Sequence, residues 1–413
     1  MRQRIYIFVV LFHFTIGQAI SNNPVIEPYL LNVTPTSIQI HWEVETGQSL
    51  VKYGKDKKLG NEIRIHGKFR KQHVEITGLD PDTRYYYQVE IGNHIFGMHT
   101  FRTAPAEEKS FTFCVYGDNR IKDVTFKYPH PHSKIIDGIQ RDHPAFLINT
   151  GDIFKTGVDT SLYMEDFFLG AKDLIANTPI FLAIGNHEYG GDPDATATKK
   201  YFAFPKSQTW FQMEYGKVQF LFLDSTKLLY KWNGIDRIKK LSVEIANDEQ
   251  LQWLENKLIA PKPQWRIVVL HHHIFSSGIF GIDSSLVKHL VPLLEKYDVD
   301  LVLGGHEHNY ERSERNGITY ILTGGGGSYL RPVNVNKNPY QKSAAAEFHH
   351  MRIKVEGDRL FVSTICDVDR RLIPDYSPEH KLAPSAFTVG DVIDELEILV
   401  TKDTKKAQRS QRK

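Results

Sequence analysis

Five apolar stretches of this sequence each run directly into a polar cluster able to bind a cation. Phe111–Tyr116 leads into Gly117, Asp118, Asn119 and Arg120, and residues 145–150 lead into Gly151 and Asp152. Residues 180–184 precede Gly185, Asn186, His187 and Glu188. Residues 267–270 precede His271, His272 and His273, and residues 301–303 precede Gly304, Gly305, His306, Glu307 and His308. Carboxylate, amide oxygen and imidazole are ligands suited to Fe, Zn or Mn. A single Gly-Asp or His-x-His is usually a turn or a pair of exposed rings. Five such clusters in order, each behind an apolar run, point to one centre. Glycine before the ligand lets the backbone turn sharply beside a crowded ion. The chain has 19 His but only 2 Cys, which excludes a four-Cys zinc site and a disulfide scaffold.

The elements that must position these clusters follow from periodicity. Residues 24–103 alternate as half-buried strands do, with Ile38, Ile40, Trp42 and Val44 on one face. Turn residues recur between short strands, which predicts an all-β sandwich. Tyr85 follows the turn Gly78-Leu79-Asp80-Pro81, placed to return its hydroxyl to the upstream backbone. Beyond a polar linker at 103–109, apolar strands alternate with helical stretches at 247–259 and 284–297, so residues 110–400 predict an α/β domain of β-sheets flanked by helices. Asn247 is placed to cap the first of these helices. In open α/β sheets ligands gather beyond the carboxyl ends of the strands, so the five tips are expected to face one cleft. Residues 352–355 and 360–366 predict a late hairpin, and 392–400 a final strand. Cys114 and Cys366 lie in apolar runs as buried thiols, with a single bridge left open. Four glycines, Gly324 to Gly327, lack a following Gly-Lys-Ser/Thr and predict a tight turn beside the cleft rather than a nucleotide loop.

The order Gly-Asp, Gly-Asp, Gly-Asn-His-Glu, His271 and Gly-His-x-His resembles the calcineurin-like metallophosphoesterases. With the sandwich in front, it is most similar to the purple acid phosphatases. The N-terminal region resembles a fibronectin type III domain through Trp42, Tyr53, Leu79, Pro81 and Tyr85. The resemblance spans roughly residues 24–400. It implies two metal ions bridged by Asp152, one completed by Asp118 and His308 and the other by Asn186, His271 and His306. It also implies that His187 acts on the scissile phosphate as donor or general acid, oriented by Glu188. One departure matters. The family's iron-binding Tyr, three residues after the bridging Asp, is replaced by Lys155, and the His that other members place two residues after the first Asp is replaced by Arg120. The first ion then has three assigned ligands, and divalent Mn, Zn or Fe fits better than ferric iron. Arg120 is either a bidentate phosphate clamp or a salt-bridged side chain. Asn119 and His272 are further candidates for substrate contact.

Function classes are bounded by composition. Hydrophobic residues are 41% and charged residues 24%, ordinary globular usage that excludes disorder and a polytopic membrane protein. Residues 1–19 are expected to be a signal peptide: Arg2 and Arg4 precede a short apolar run and a small-residue end, so the mature chain would be secreted or periplasmic, without stable membrane insertion. The tail 401–413 holds six basic residues against Asp403 and leaves the body net negative, which argues against a nucleic-acid partner. The expected activity is hydrolysis of phosphate monoesters by a secreted binuclear metallophosphatase. A phosphodiesterase or nucleotidase of the same superfamily is the first alternative, its choice lying in loops such as 121–133 and 227–242. A non-catalytic adhesion protein with a degenerate metal site is the second.

Overall fold

The computed structural model describes residues 24–44, 48–66, 70–120, 130–233, 249–373 and 382–400. The expected signal peptide, the basic tail, the Asn247 cap and parts of both specificity loops lie outside the described residues.

Eight strands form the N-terminal sandwich: β1 Pro24–Leu31, β2 Ser37–Val44, β3 Ser49–Gly54, β4 Asn61–Ile65, β5 Lys71–Thr77, β6 Arg84–Ile91, β7 His94–Ile95 and β8 His99–Arg102. One sheet runs β1-β2-β5; the other runs β4-β3-β6-β7, with β8 also paired to β6. Ile38, Ile40, Trp42 and Val44 are fully buried between them, as their alternation predicts. The Tyr85 hydroxyl accepts the Asp80 N–H at 2.9 Å, closing the expected corner. The opposite face of β2 is also buried: His41 and Glu43 are 2% and 3% exposed. The cover is the following domain. Tyr201 donates its hydroxyl to Glu43 at 2.8 Å, Tyr29 donates to the Tyr201 carbonyl at 2.8 Å, and Tyr87 donates to the Ala176 carbonyl at 2.6 Å. Polar residues at alternate positions of β2 therefore meet a polar interface instead of water.

Thirteen strands follow: β9 Phe111–Tyr116, β10 Leu147–Asn149, β11 Ile180–Leu182, β12 Phe211–Tyr215, β13 Val218–Phe222, β14 Trp265–His272, β15 Leu301–Gly305, β16 Tyr310–Arg315, β17 Ile318–Thr323, β18 Gln341–Ala345, β19 His349–Glu356, β20 Arg359–Cys366 and β21 Val392–Leu399. They form a six-stranded sheet, β11-β10-β9-β19-β20-β21, and a seven-stranded sheet, β12-β13-β14-β15-β17-β16-β18. Facing aromatic side chains join the two sheets. Phe113 stacks on Phe146 at 5.1 Å between centroids, and Phe220 meets both rings edge-on at 5.3 and 5.5 Å. Truncating such a ring to Ala costs about 3–5 kcal/mol. Helices such as Pro131–Asp142 and Glu249–Ile259 cover the outer faces, the latter by burying Leu254 and Leu258.

β9, β10 and β11 are mutually parallel, as are β13, β14, β15 and β17. The five ligand-bearing tips therefore come from two parallel runs, one in each sheet. The helix expected over 284–297 is divided into Ser284–His289 and Val291–Lys296. Pro292 cannot donate to the preceding turn and its ring crowds it, which ends the first helix there. Cys114 and Cys366 are both buried and free. The four-glycine run packs onto the first tip. A Cβ on Gly326 would sit 2.1 Å from the Gly117 carbonyl oxygen, and one on Gly324 3.0 Å from Asp118 Oδ2.

Candidate metal centre

Three of the five tips turn abruptly. Asp118, Asp152 and His306 adopt φ of +59°, +55° and +72°, a left-handed conformation that is costly for residues with a Cβ. Strain of this kind, about 1–3 kcal/mol each, persists where surrounding contacts over-determine it and clusters at working sites. The neighbouring glycines make room. A Cβ on Gly185 would lie 2.3 Å from Asp152 Oδ1, and one on Gly305 2.4 Å from Asp118 Oδ2.

The turns bring six side chains together. His271 Nε2 lies 3.3 Å from Asp152 Oδ1, 3.2 Å from Asn186 Oδ1 and 3.3 Å from His306 Nδ1. His308 Nε2 lies 3.6 Å from Asp118 Oδ1. Asp118, Asp152, His271 and His308 are almost wholly buried, whereas Asn186, His187 and His306 are half-buried. Backbone carbonyls fix the rings. His271 Nδ1 donates to the Thr150 carbonyl and His308 Nδ1 to the Tyr329 carbonyl, each at 2.8 Å. With Nδ1 so engaged, Nε2 of each ring is the atom left facing inward, the orientation a metal ligand needs.

Electrostatics separates the two carboxylates. Burial pushes Asp118 up to about 8, with the Asp152 charge adding to it. Burial also disfavours the Asp152 anion, yet the charges of His271, His187 and Arg120 hold that carboxyl well below the usual range. Burial opposes the His271 cation, but Asp152, Asp118 and Glu188 raise it to about 9. His306 and His308 are driven well below the ordinary imidazole range, first by burial. A proton on His271 thus offsets a concentration of inward-facing acceptors.

The donor set fits a cation beside Asp152, Asn186, His271 and His306, where lone pairs converge. Asp152, His271 and His306 meet the spacing of a three-ligand group. On the other side, buried Asp118 Oδ1 accepts no hydrogen bond, an open ligand position. There Arg120 competes: one guanidinium nitrogen donates to His308 Nε2 at 3.0 Å and lies 3.8 Å from Asp152 Oδ2. The other contacts His187 Nε2. His187 Nδ1 donates to the Lys155 carbonyl at 2.7 Å, so its Nε2 is the acceptor towards Arg120.

The remaining expected residues divide. Asn119 turns into the protein: its amide nitrogen donates to the Ile153 carbonyl at 3.3 Å, and its oxygen accepts from Asn149 at 2.9 Å. His272 stays beside the centre, 4.3 Å ring to ring from His306, with its Nδ1 3.0 Å from Ser225 Oγ. Glu188 does not hold His187. Its carboxylate is buried and accepts the backbone N–H of Asp152 at 2.9 Å, Ile153 at 2.8 Å and Gly185 at 2.8 Å, clamping two of the ligand turns together. Sequence reasoning did not single out Arg331 and Phe280. Arg331 donates to the His306 carbonyl at 2.9 Å and lies over the Phe280 ring, which stacks on His306 at 4.8 Å. Both lie in irregular loops without a sequence pattern to mark them.

Residues 128–310 match the family described as calcineurin-like phosphoesterase. The chain carries a calcineurin-like phosphoesterase domain. An uncharacterised protein of Mycobacterium tuberculosis is 27% identical over 82% of this chain and 67% of its own length. Purple acid phosphatase 3 of Arabidopsis thaliana is 30% identical over 46% of this chain and 56% of that relative, so this match spans little more than half of the plant protein. A purple acid phosphatase from yellow lupin (Lupinus luteus) seeds superposes with a TM-score of 0.71 at 17% identity, over 92% of this chain and 74% of that one. That likeness concerns the fold, and it takes in the sandwich as well as the phosphoesterase domain. Among the described residues no helix is long and apolar enough to cross a membrane.

Proposed function

We propose that this phosphoesterase domain belongs to a secreted hydrolase of phosphate monoesters that works with two metal ions. The observation that carries the reading is the convergence of His271, Asn186 and His306 on one side of Asp152, with Asp118 and His308 close by. Asp152 would be shared, Asn186, His271 and His306 would complete one ion, and Asp118 and His308 the other. Bound ions of Mn, Zn or Fe supply Lewis acidity and a nucleophilic water at neutral pH.

The chain's own residues do the rest. Arg120 is the cationic side chain inside the centre, and its guanidinium suits bidentate contact with a phosphoryl group. Turning towards substrate, it would release the lone pairs of His308 Nε2 and His187 Nε2, leaving His308 able to hold a metal ion. His187, still held through Nδ1 by the Lys155 carbonyl, would take up a proton from water at Nε2 and give it to the leaving oxygen. Glu188 keeps the turns of Asp152 and Gly185 in register throughout.

The test is hydrolysis of matched mono- and diesters by the full chain loaded with Mn, Zn or Fe, alongside His187→Gln. Monoester turnover that falls about 100-fold or more in the variant, with metal content unchanged, is the expected result. Faster diester turnover would make the protein a phosphodiesterase. Metal-loaded protein without turnover would make it a binding protein.

A further inference from the structure

An open cleft of about 1120 Å³ lies between the sandwich and the phosphoesterase domain. Ligand pockets typically measure about 300–1,000 Å³, so this one admits a small organic molecule. Its walls are basic: Arg70, Lys71, Lys199, Lys200, Lys206 and Lys257 line it, against Glu75 and Glu214. Glu43, beneath the floor, takes Arg70 at 2.8 Å and Lys200 at 4.0 Å. Among the described residues no carboxylate stands within ion-pair distance of Lys71, Lys199, Lys206 or Lys257.

Lys71 and Lys200 flank the Tyr201 ring at 5.4 and 5.1 Å. Positive charges gathered on one wall repel one another, and Glu43 answers only Arg70 and Lys200 among them. Accordingly, burial and the Lys200 charge push the Lys71 ammonium down to about 7. A compact anion would remove that penalty.

We propose that this interdomain cleft is a non-catalytic site for a small, multiply charged phosphorylated anion, held by Lys71, Lys199 and Lys200 with Arg70 and Lys206 at the rim. Such a ligand would bridge the two domains, since Arg70 and Lys71 belong to the sandwich and the other lysines to the phosphoesterase domain. The site does not depend on the metal centre.

Calorimetric titration of the full chain with methylenediphosphonate, which resists hydrolysis, tests it. Asp152→Ala serves as the background, so that the centre does not contribute. One site per chain is expected. Lys71→Gln should weaken it about 10-fold, the loss of one charge-assisted contact. The exposed change Lys206→Glu, which does not touch the core, should weaken it in the same direction. Citrate at equal concentration should bind at least 10-fold more weakly, as carboxylates match the cluster less well. Binding unchanged in both lysine variants, equal binding of citrate, or no heat in the Asp152→Ala background would overturn the proposal.

Discussion

Two buried clusters in this molecule use the same residue types and differ in how their atoms are satisfied. In the centre at the strand tips, His271 faces Asp152, Asn186 and His306 through a single nitrogen, and Asp118 Oδ1 has no partner. On β19, His350 donates through Nδ1 to Asp367 at 2.7 Å and through Nε2 to Asp142 at 2.9 Å, and Arg352 pairs with the other oxygen of Asp142 at 3.0 Å. Cys114 stands beside this second group, its thiol pushed up by burial. Both histidines are raised to about 9, against the effect of burial, by neighbouring carboxylates. The first cluster points an excess of acceptors at one spot, which a cation resolves. In the second the imidazolium is itself the cation, and the group ties the end of helix Pro131–Asp142 to β19 and to the residue after β20. Spacing alone does not separate the two; the count of lone pairs against protons does.

The largest contrast is expected from removing the central carboxylate of each. Asp152→Ala should lower metal retention and hydrolysis by more than about 100-fold, beyond the loss seen for an outer partner of a ligand. Its unfolding midpoint should stay near that of the metal-free parent. Metal analysis with urea denaturation measures both. Asp367→Asn should do the reverse. It leaves a buried imidazolium short of a partner, so stability falls by about 3–5 kcal/mol while metal content is unchanged.

The pH dependence sharpens the comparison. His350 is raised from 6.5 to about 9 on folding, so its contribution is fully present below pH 6.5 and is lost as pH rises through about 9. Urea titrations of the metal-loaded protein should show that decline, and His350→Gln should flatten it. His271 should add nothing to the slope while a metal occupies its lone pair. The smallest effect is expected from Arg352→Gln. Its side chain is 41% exposed, and an exposed pair is worth less than about 1 kcal/mol.

The contrast also explains what the sequence made legible. Asp118, Asp152, Asn186, His271, His306 and His308 stood out because each follows a short apolar strand and most follow a glycine. That pattern encodes both the strand and its sharp end. The sandwich was legible from Ile38, Ile40, Trp42 and Val44 and from the Tyr85 corner. The pairing of His350 with Asp142 was not, because the partners lie 208 residues apart and neither sits in a motif. The burial of His41 and Glu43 was hidden for a related reason: alternation reports one buried face and is silent about a second domain. Glu188 was noticed beside His187, and the family resemblance assigned it to orient that ring, but its carboxylate accepts backbone N–H groups instead. A residue next along a short turn points away from its predecessor, and here it points back to Asp152 and Gly185.

The most direct measurement is anomalous diffraction from crystals of the full chain equilibrated with Mn, recorded on both sides of the metal's absorption edge. The account predicts two peaks, one on either side of the Asp152 carboxylate and each touching the histidines assigned to it, with none beside His350. Peaks confined to the Cys114, Asp142 and His350 group, or none within reach of Asp152, would contradict it.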